Sequence, residues 1–131
     1  MSRRTITEIL EGIAGRMITV HQPPKTMTVD IHGTRWTVKV KSGKKLDAEV
    51  GENQFCLGRT IYAKHVIKMR RGIDRDNFVQ TARHELTHAF LFEYGVHLTD
   101  EETICDFIGA FGADIVELAN NITEFFYGEK Q

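Results

Sequence analysis

Apolar and polar positions change period twice along the chain. In "TITEILEGIAGRM", Ile6, Ile9, Leu10 and Ile13 recur at helical spacing, with Thr5 or Thr7 placed to cap the helix. Pro23 and Pro24 then break the pattern, because neither can continue a helix or an inner strand. From Met27 the residues alternate. Met27, Val29 and Ile31 face one way, and beyond Gly33 so do Trp36, Val38 and Val40, which predicts a hairpin with one buried face. "GENQFCLGRTIYAKHV" continues as a strand region anchored by Ile61.

Past Asp76 the period lengthens to about 3.6. A long helix is expected to Tyr94, capped by Asp74 or Asp76 and stopped by Gly95. A second helix begins near Thr99–Glu102 and runs to about Ile122, with Asp100, Glu101 and Glu102 in its first turn, where the helix dipole favours anions. "GVHL" between them makes a tight helical hairpin. The expected fold is α+β and a single domain over residues 1–131: an N-terminal helix, a small, mostly antiparallel sheet, then two long packed helices.

Composition adds bounds. At 131 residues, with 41% hydrophobic and 27% charged residues, the chain suits one soluble domain. No apolar run approaches the roughly 18–20 residues of a membrane span, and "MSRRTITEILEG" does not read as a secretory signal. Cys56 and Cys105 fit no CxxC pattern and are expected as reduced thiols in a cytoplasmic protein. The net charge of −1 hides an asymmetry: residues 1–73 hold 14 Lys/Arg against 6 Asp/Glu, and residues 74–131 hold 3 against 12. A basic surface for nucleic acid would follow if the runs "VKVKSGKK" and "KHVIKMRRG" stood free. Solvated strands and loops whose charge is balanced elsewhere in the fold are the commoner meaning of such runs, and nucleic acid is not the favoured partner.

The chemistry concentrates in "TARHELTHAF". His84 and His88 lie four apart within the first long helix, so their imidazoles project from one side, about 5–6 Å apart at Cβ. Both can then reach one ion at the Zn–N distance of about 2.0–2.1 Å. Val79, Ala82, Leu86, Ala89 and Phe90 form the opposite, core face. Leu91 and Phe92 flank the histidines, so a helix covered on both sides is expected. Glu85 points about 100° away from the ligands, placed as a general base for a water acidified by the metal. A helix with two structural histidines is the plainer alternative, but the full HExxH pattern, with Glu85 after the first histidine, arises by chance in only about 2% of chains of this composition.

A catalytic zinc wants a third protein ligand. On the second helix Ile104, Phe107, Ile108, Phe111, Ile115 and Leu118 form an apolar face, opposite a stripe of Glu102, Asp106, Gly109 and Ala113. The expectation is that this stripe packs on the histidine face and brings a carboxylate to the metal. Asp106 lies level with His88 in a hairpin centred near residue 97. Glu102 is one turn nearer the loop, about 6 Å off, with a longer side chain. Glu101 sits nearer the apolar face, and His97 in the loop would make a three-histidine site.

"TARHELTHAFLFEYGV" followed by "DEETICDFIGAFGADIVELA", with "LGRTIYA" before them, resembles small phage and prophage metallopeptidase-like proteins related to the ImmA/IrrE family. The resemblance spans about residues 55–120. It implies a minimal zincin-like fold, zinc held by His84 and His88, Glu85 as the base, and Glu102 as the acidic third ligand. It also implies a sheet-edge strand beside the site, for which Arg59, Thr60, Ile61 and Tyr62 are the substrate-binding candidates by strand addition. Tyr62, His65, Tyr94 and His97 are candidates for stabilising an oxyanion. The expected function is thus a zinc-dependent peptidase, phage or prophage encoded, acting on a protein or peptide. The alternatives are a zinc-stabilised protein-binding module without hydrolysis and a basic nucleic-acid accessory protein. Oligomeric state is not fixed by the sequence.

Overall fold

The computed structural model describes residues 25–51 and 54–129, so the helix expected around Thr5–Ile13 lies outside the described residues. β1 (Thr26–Ile31) and β2 (Thr34–Lys41) form the expected antiparallel hairpin. Its two turn residues, His32 and Gly33, both take left-handed φ values of 50° and 81°. That is the pattern of a type I′ turn, whose twist matches that of the flanking strands. Alternation holds: Val29, Ile31, Trp36 and Val38 are buried on one face.

The chain next forms α1 (Gly43–Val50), which replaces the strand or loop expected for the second half of "VKVKSGKK". Ser42 caps it by accepting a hydrogen bond from the Lys45 amide at 3.3 Å, and fully buried Leu46 pins it to the body. β3 (Gly58–Ile61) follows, then a single 3-10 turn over Tyr62–Lys64, and β4 (Val66–Arg70). The sheet order is β1-β2-β4-β3. β1–β2 and β3–β4 pair antiparallel, while β2 and β4 at the centre pair in parallel. The parallel pair is possible because the α1–β3 segment supplies the long crossover that such pairing requires. Among the described residues β3 is therefore an edge strand.

Two long helices complete the α+β fold. α2 (Arg75–Tyr94) starts at Asp74, whose carboxylate accepts from the Asn77 amide at 3.3 Å. It ends at Gly95, left-handed at φ 64°, with the Val96 amide bonding back to the Leu91 carbonyl at 3.0 Å, a C-terminal cap that glycine adopts without strain. α3 (Glu101–Tyr127) starts with a capping box between Asp100 and Thr103. One core joins the sheet to both helices: Trp36, Ile67 and Met69 meet Phe78, Leu86, Phe107 and Ile122.

The helices pair differently from the expectation. α3 lies on the Phe78, Phe90 and Tyr94 side of α2: Phe78 packs on Tyr127 at 4.7 Å and Tyr94 on Phe111 at 4.3 Å between ring centroids. That register puts Asp106 level with the interhelical turn, not with His88. The stripe Glu102, Asp106, Gly109 and Ala113 is exposed and does not cover the histidines. The physical reason is burial: α3 places its bulky Phe107, Phe111 and Ile115 against the most apolar face available, and the histidine face is not it. Ile104 and Ile108, assigned to the apolar face, are 47% and 60% exposed.

The basic runs are partly neutralised within the first half of the chain. Arg70 pairs with Asp47 at 2.8 Å, and Lys68 pairs with Glu49. The Lys68 contact holds the Glu49 carboxyl below its ordinary range. Among the described residues no helix is long and apolar enough to cross a membrane.

Trp36 ties strand to helix by a polar bond as well as by burial. Its side chain is fully buried, and its Nε1–H donates to Glu93 Oε1 at 2.8 Å; Thr34 donates to Oε2 at 3.1 Å. Trp36→Phe should destabilise the fold by about 1–3 kcal/mol, because it removes a donor from a nearly buried carboxylate. Urea unfolding followed by circular dichroism measures this; a loss under about 0.5 kcal/mol would mean that the bond contributes little.

Candidate metal centre

The site is built on one helix and one strand. His84 and His88 stand one turn apart on the outer face of α2. Their Nε2 atoms are 3.3 Å apart, so both rings turn the same nitrogen toward a common point. Two ligand nitrogens on adjacent corners of a zinc tetrahedron, each about 2.0–2.1 Å from the metal, lie about 3.3 Å apart. The pair therefore fits two positions of one such ion. The same separation also suits a hydrogen bond from one imidazole to the other. The face is open, contrary to the expected two-sided covering: the His84 side chain is 68% exposed.

Glu85 has turned the other way, into the cleft between helix and sheet, and is only 6% exposed. β3 makes room for it. A Cβ at Gly58 would stand 2.7 Å from Thr81 Cγ2 and 2.9 Å from Glu85 Cγ, so only glycine lets the strand come this close. Thr60, two residues on, donates its hydroxyl to Glu85 Oε1 at 2.7 Å. With Oε1 taken, Oε2 is left 3.9 Å from His84 Nε2. Burial pushes the Cys56 thiol up, and the Glu85 carboxylate adds to that shift. The thiol donates to the Gly58 carbonyl at 2.8 Å.

The other sequence candidates separate cleanly. Glu102 and Asp106 are exposed on α3, and among the described residues no group of three or more His, Cys, Asp or Glu side chains gathers around one point. His97 instead shares a cleft of about 350 Å³ with His88, Tyr62 and Phe92. Tyr62 sits edge-on to His88, ring centroids 6.4 Å apart, beside the site. Tyr94 faces away, among Phe90, Phe111 and His32. His65 is drawn off to Glu93, 3.6 Å away. Of the four oxyanion candidates, Tyr62 and His97 remain at the histidines.

Arg59, Thr60 and Ile61 lie in β3 and Tyr62 just beyond it, at the free edge expected of a strand beside the site. Thr60's hydroxyl is committed to Glu85, a role not anticipated from the sequence. Gly58 was not singled out either, although a glycine in a strand is the usual mark of a close backbone approach. Phe55, Leu57 and Gln80 line a further cleft beside Glu85 and lie too far apart in sequence to have been grouped.

The chain matches no family model, no curated protein and no solved structure.

Gly58→Ala should cost about 1–3 kcal/mol, because the strand must back away from Thr81 and Glu85. Gly72, where an added Cβ meets nothing but φ is 85°, makes a useful comparison for backbone strain alone. Chemical denaturation of both alanine variants measures the difference. A Gly58→Ala protein as stable as the parent would refute the tight approach.

Proposed function

We propose that this protein is a zinc-dependent peptidase in which His84 and His88 hold the metal and Glu85 is the general base. The observation that carries the reading is the placement of three groups. Two imidazole nitrogens stand at a tetrahedral-edge separation, and one oxygen of a buried carboxylate lies 3.9 Å from His84 Nε2 while its other oxygen is tied to Thr60. A purely structural histidine pair would not need a carboxylate buried and oriented beside it, and burying a carboxylate is costly without such partners. The resemblance to the ImmA/IrrE family supports the same assignment.

Zinc held there would supply Lewis acidity, polarising a carbonyl and lowering the pKa of a water toward about 7. The protein's own groups do the rest. Glu85 Oε2 takes the proton from the attacking water and delivers it to the departing amine. Thr60 keeps the carboxylate from rotating. Tyr62, beside His88, is placed to donate a hydrogen bond to the oxygen on which charge develops. β3 offers its free edge to an extended peptide.

Three residues compete for the third ligand position. The resemblance assigns Glu102, and Asp106 is the alternative on the same helix. His97 is the one that shares His88's cleft.

Purified protein should carry about one zinc per chain, and His84→Ala and His88→Ala should each lose most of it. Zinc content of Glu102→Ala, Asp106→Ala and His97→Ala identifies the third ligand as the variant that releases metal. Glu85→Gln should retain zinc yet cleave a host-lysate protein pool at least about a hundredfold more slowly, the usual contribution of a general base. Undiminished cleavage by Glu85→Gln would overturn the mechanism. A protein that takes up no zinc, with His84→Ala indistinguishable from the parent, would leave the histidines as a structural pair.

A further inference from the structure

The floor of the site continues into two clefts, one at each end of β3. On the Gly58 side, a cleft of about 640 Å³ runs between the α1–β3 segment and α2, lined by Val50, Phe55, Leu57 and Gln80 and reaching His84 and Glu85. On the Tyr62 side lies the smaller cleft of about 350 Å³, walled by Leu91, Phe92 and Val96 and reaching His88. The histidine pair thus sits where the two meet. The larger cleft lies in the range of about 300–1,000 Å³ found for ligand sites.

Two features of the larger cleft identify what fits it. Among the described residues its lining carries one carboxylate, Glu85, and is otherwise mostly apolar or uncharged, with Arg70 stacked on Phe55 4.2 Å from the ring centroid. Phe55 and Val50 stand 69% and 38% exposed at its rim, apolar surface that a buried guest would cover.

The strand supplies the means of presenting that guest. The Arg70 amide donates to the Leu57 carbonyl at 2.9 Å, which sets the phase of the β3–β4 ladder. In an antiparallel ladder the bonded residues alternate, so Arg59 and Ile61 face β4 while the backbone groups of Gly58 and Thr60 point to the open edge. The Gly58 carbonyl is indeed met there by the Cys56 thiol and not by β4. A chain added along this edge directs every second side chain toward α2, the side on which both clefts open.

We infer that the groove takes an extended peptide with a bulky apolar residue beside the bond facing Glu85, that residue filling the Gly58-side cleft, and a second apolar residue in the Tyr62-side cleft. The inference rests on the peptidase reading, and it names the substrate class: a segment with a residue such as Phe or Leu next to the scissile bond, exposed in extended form.

The test is a randomised decapeptide library incubated with the zinc-loaded full-length protein, with bound peptides and cleavage products both sequenced by mass spectrometry. Phe, Leu, Met or Tyr should be enriched at least about tenfold at one position flanking the cut, the discrimination typical of an apolar pocket. Gln80→Trp, on the exposed face of α2, should fill the cleft and move that preference to Ala and Gly. Val50→Trp, from the opposite wall, should do the same if Gln80→Trp does not fold. Cleavage with no preference at the flanking positions, or an unchanged preference in both tryptophan variants, overturns the inference and leaves the peptidase reading standing. Selective binding of bulky apolar peptides that disappears in the variants, without any cleavage, supports the groove and removes the peptidase. Neither binding nor cleavage overturns both.

Discussion

The contact on which the site depends is the approach of β3 to α2 at Gly58. A strand and a helix normally keep the separation that their side chains impose. Here one position has no side chain, and Thr81 Cγ2 and Glu85 Cγ crowd the space that a Cβ would have taken. This allows a charged group to be almost fully buried at the margin of the core, with Thr60 supplying the hydrogen bond that burial demands. Everything chemical follows from that placement. Glu85 is 6% exposed, and its second oxygen lies 3.9 Å from His84 Nε2.

The rest of the fold keeps this geometry still. α2 is covered by α3 on the face opposite the histidines and by the sheet beneath, and it is capped at both ends by Asp74 and Gly95. Trp36 and Thr34 reach from β2 to Glu93 near its C-terminal end, so the helix is held to the sheet at two polar points, Glu85 and Glu93. Against these supports the histidine face remains exposed. A rigid scaffold with one open polar face is the arrangement that a substrate site requires.

The acidic stripe of α3 shows how a sound local argument can fail globally. Glu102, Asp106, Gly109 and Ala113 do share one side of the helix. Which side packs is decided by competition between faces, and Phe107, Phe111 and Ile115 bury more apolar area than any stripe of small residues can. A level argument from sequence also had to assume where the hairpin turns. The aromatic pairs Tyr94–Phe111 and Phe78–Tyr127 set that point several residues later than assumed.

What the sequence determined by itself was local: the β1–β2 hairpin, the two long helices with their caps, and the pairing of His84 with His88 one turn apart. Each depends on residues close in the chain, where periodicity and backbone preference act directly. Only the tertiary structure decided the rest. It set the parallel β2–β4 pairing, the helix at Gly43–Val50, the side of α2 that α3 covers, the cleft beside Gly58, and the bond from Thr60 to Glu85. These join residues distant in sequence, and what selects them is the burial gained when whole faces compete for one core, a quantity no short window of the chain contains.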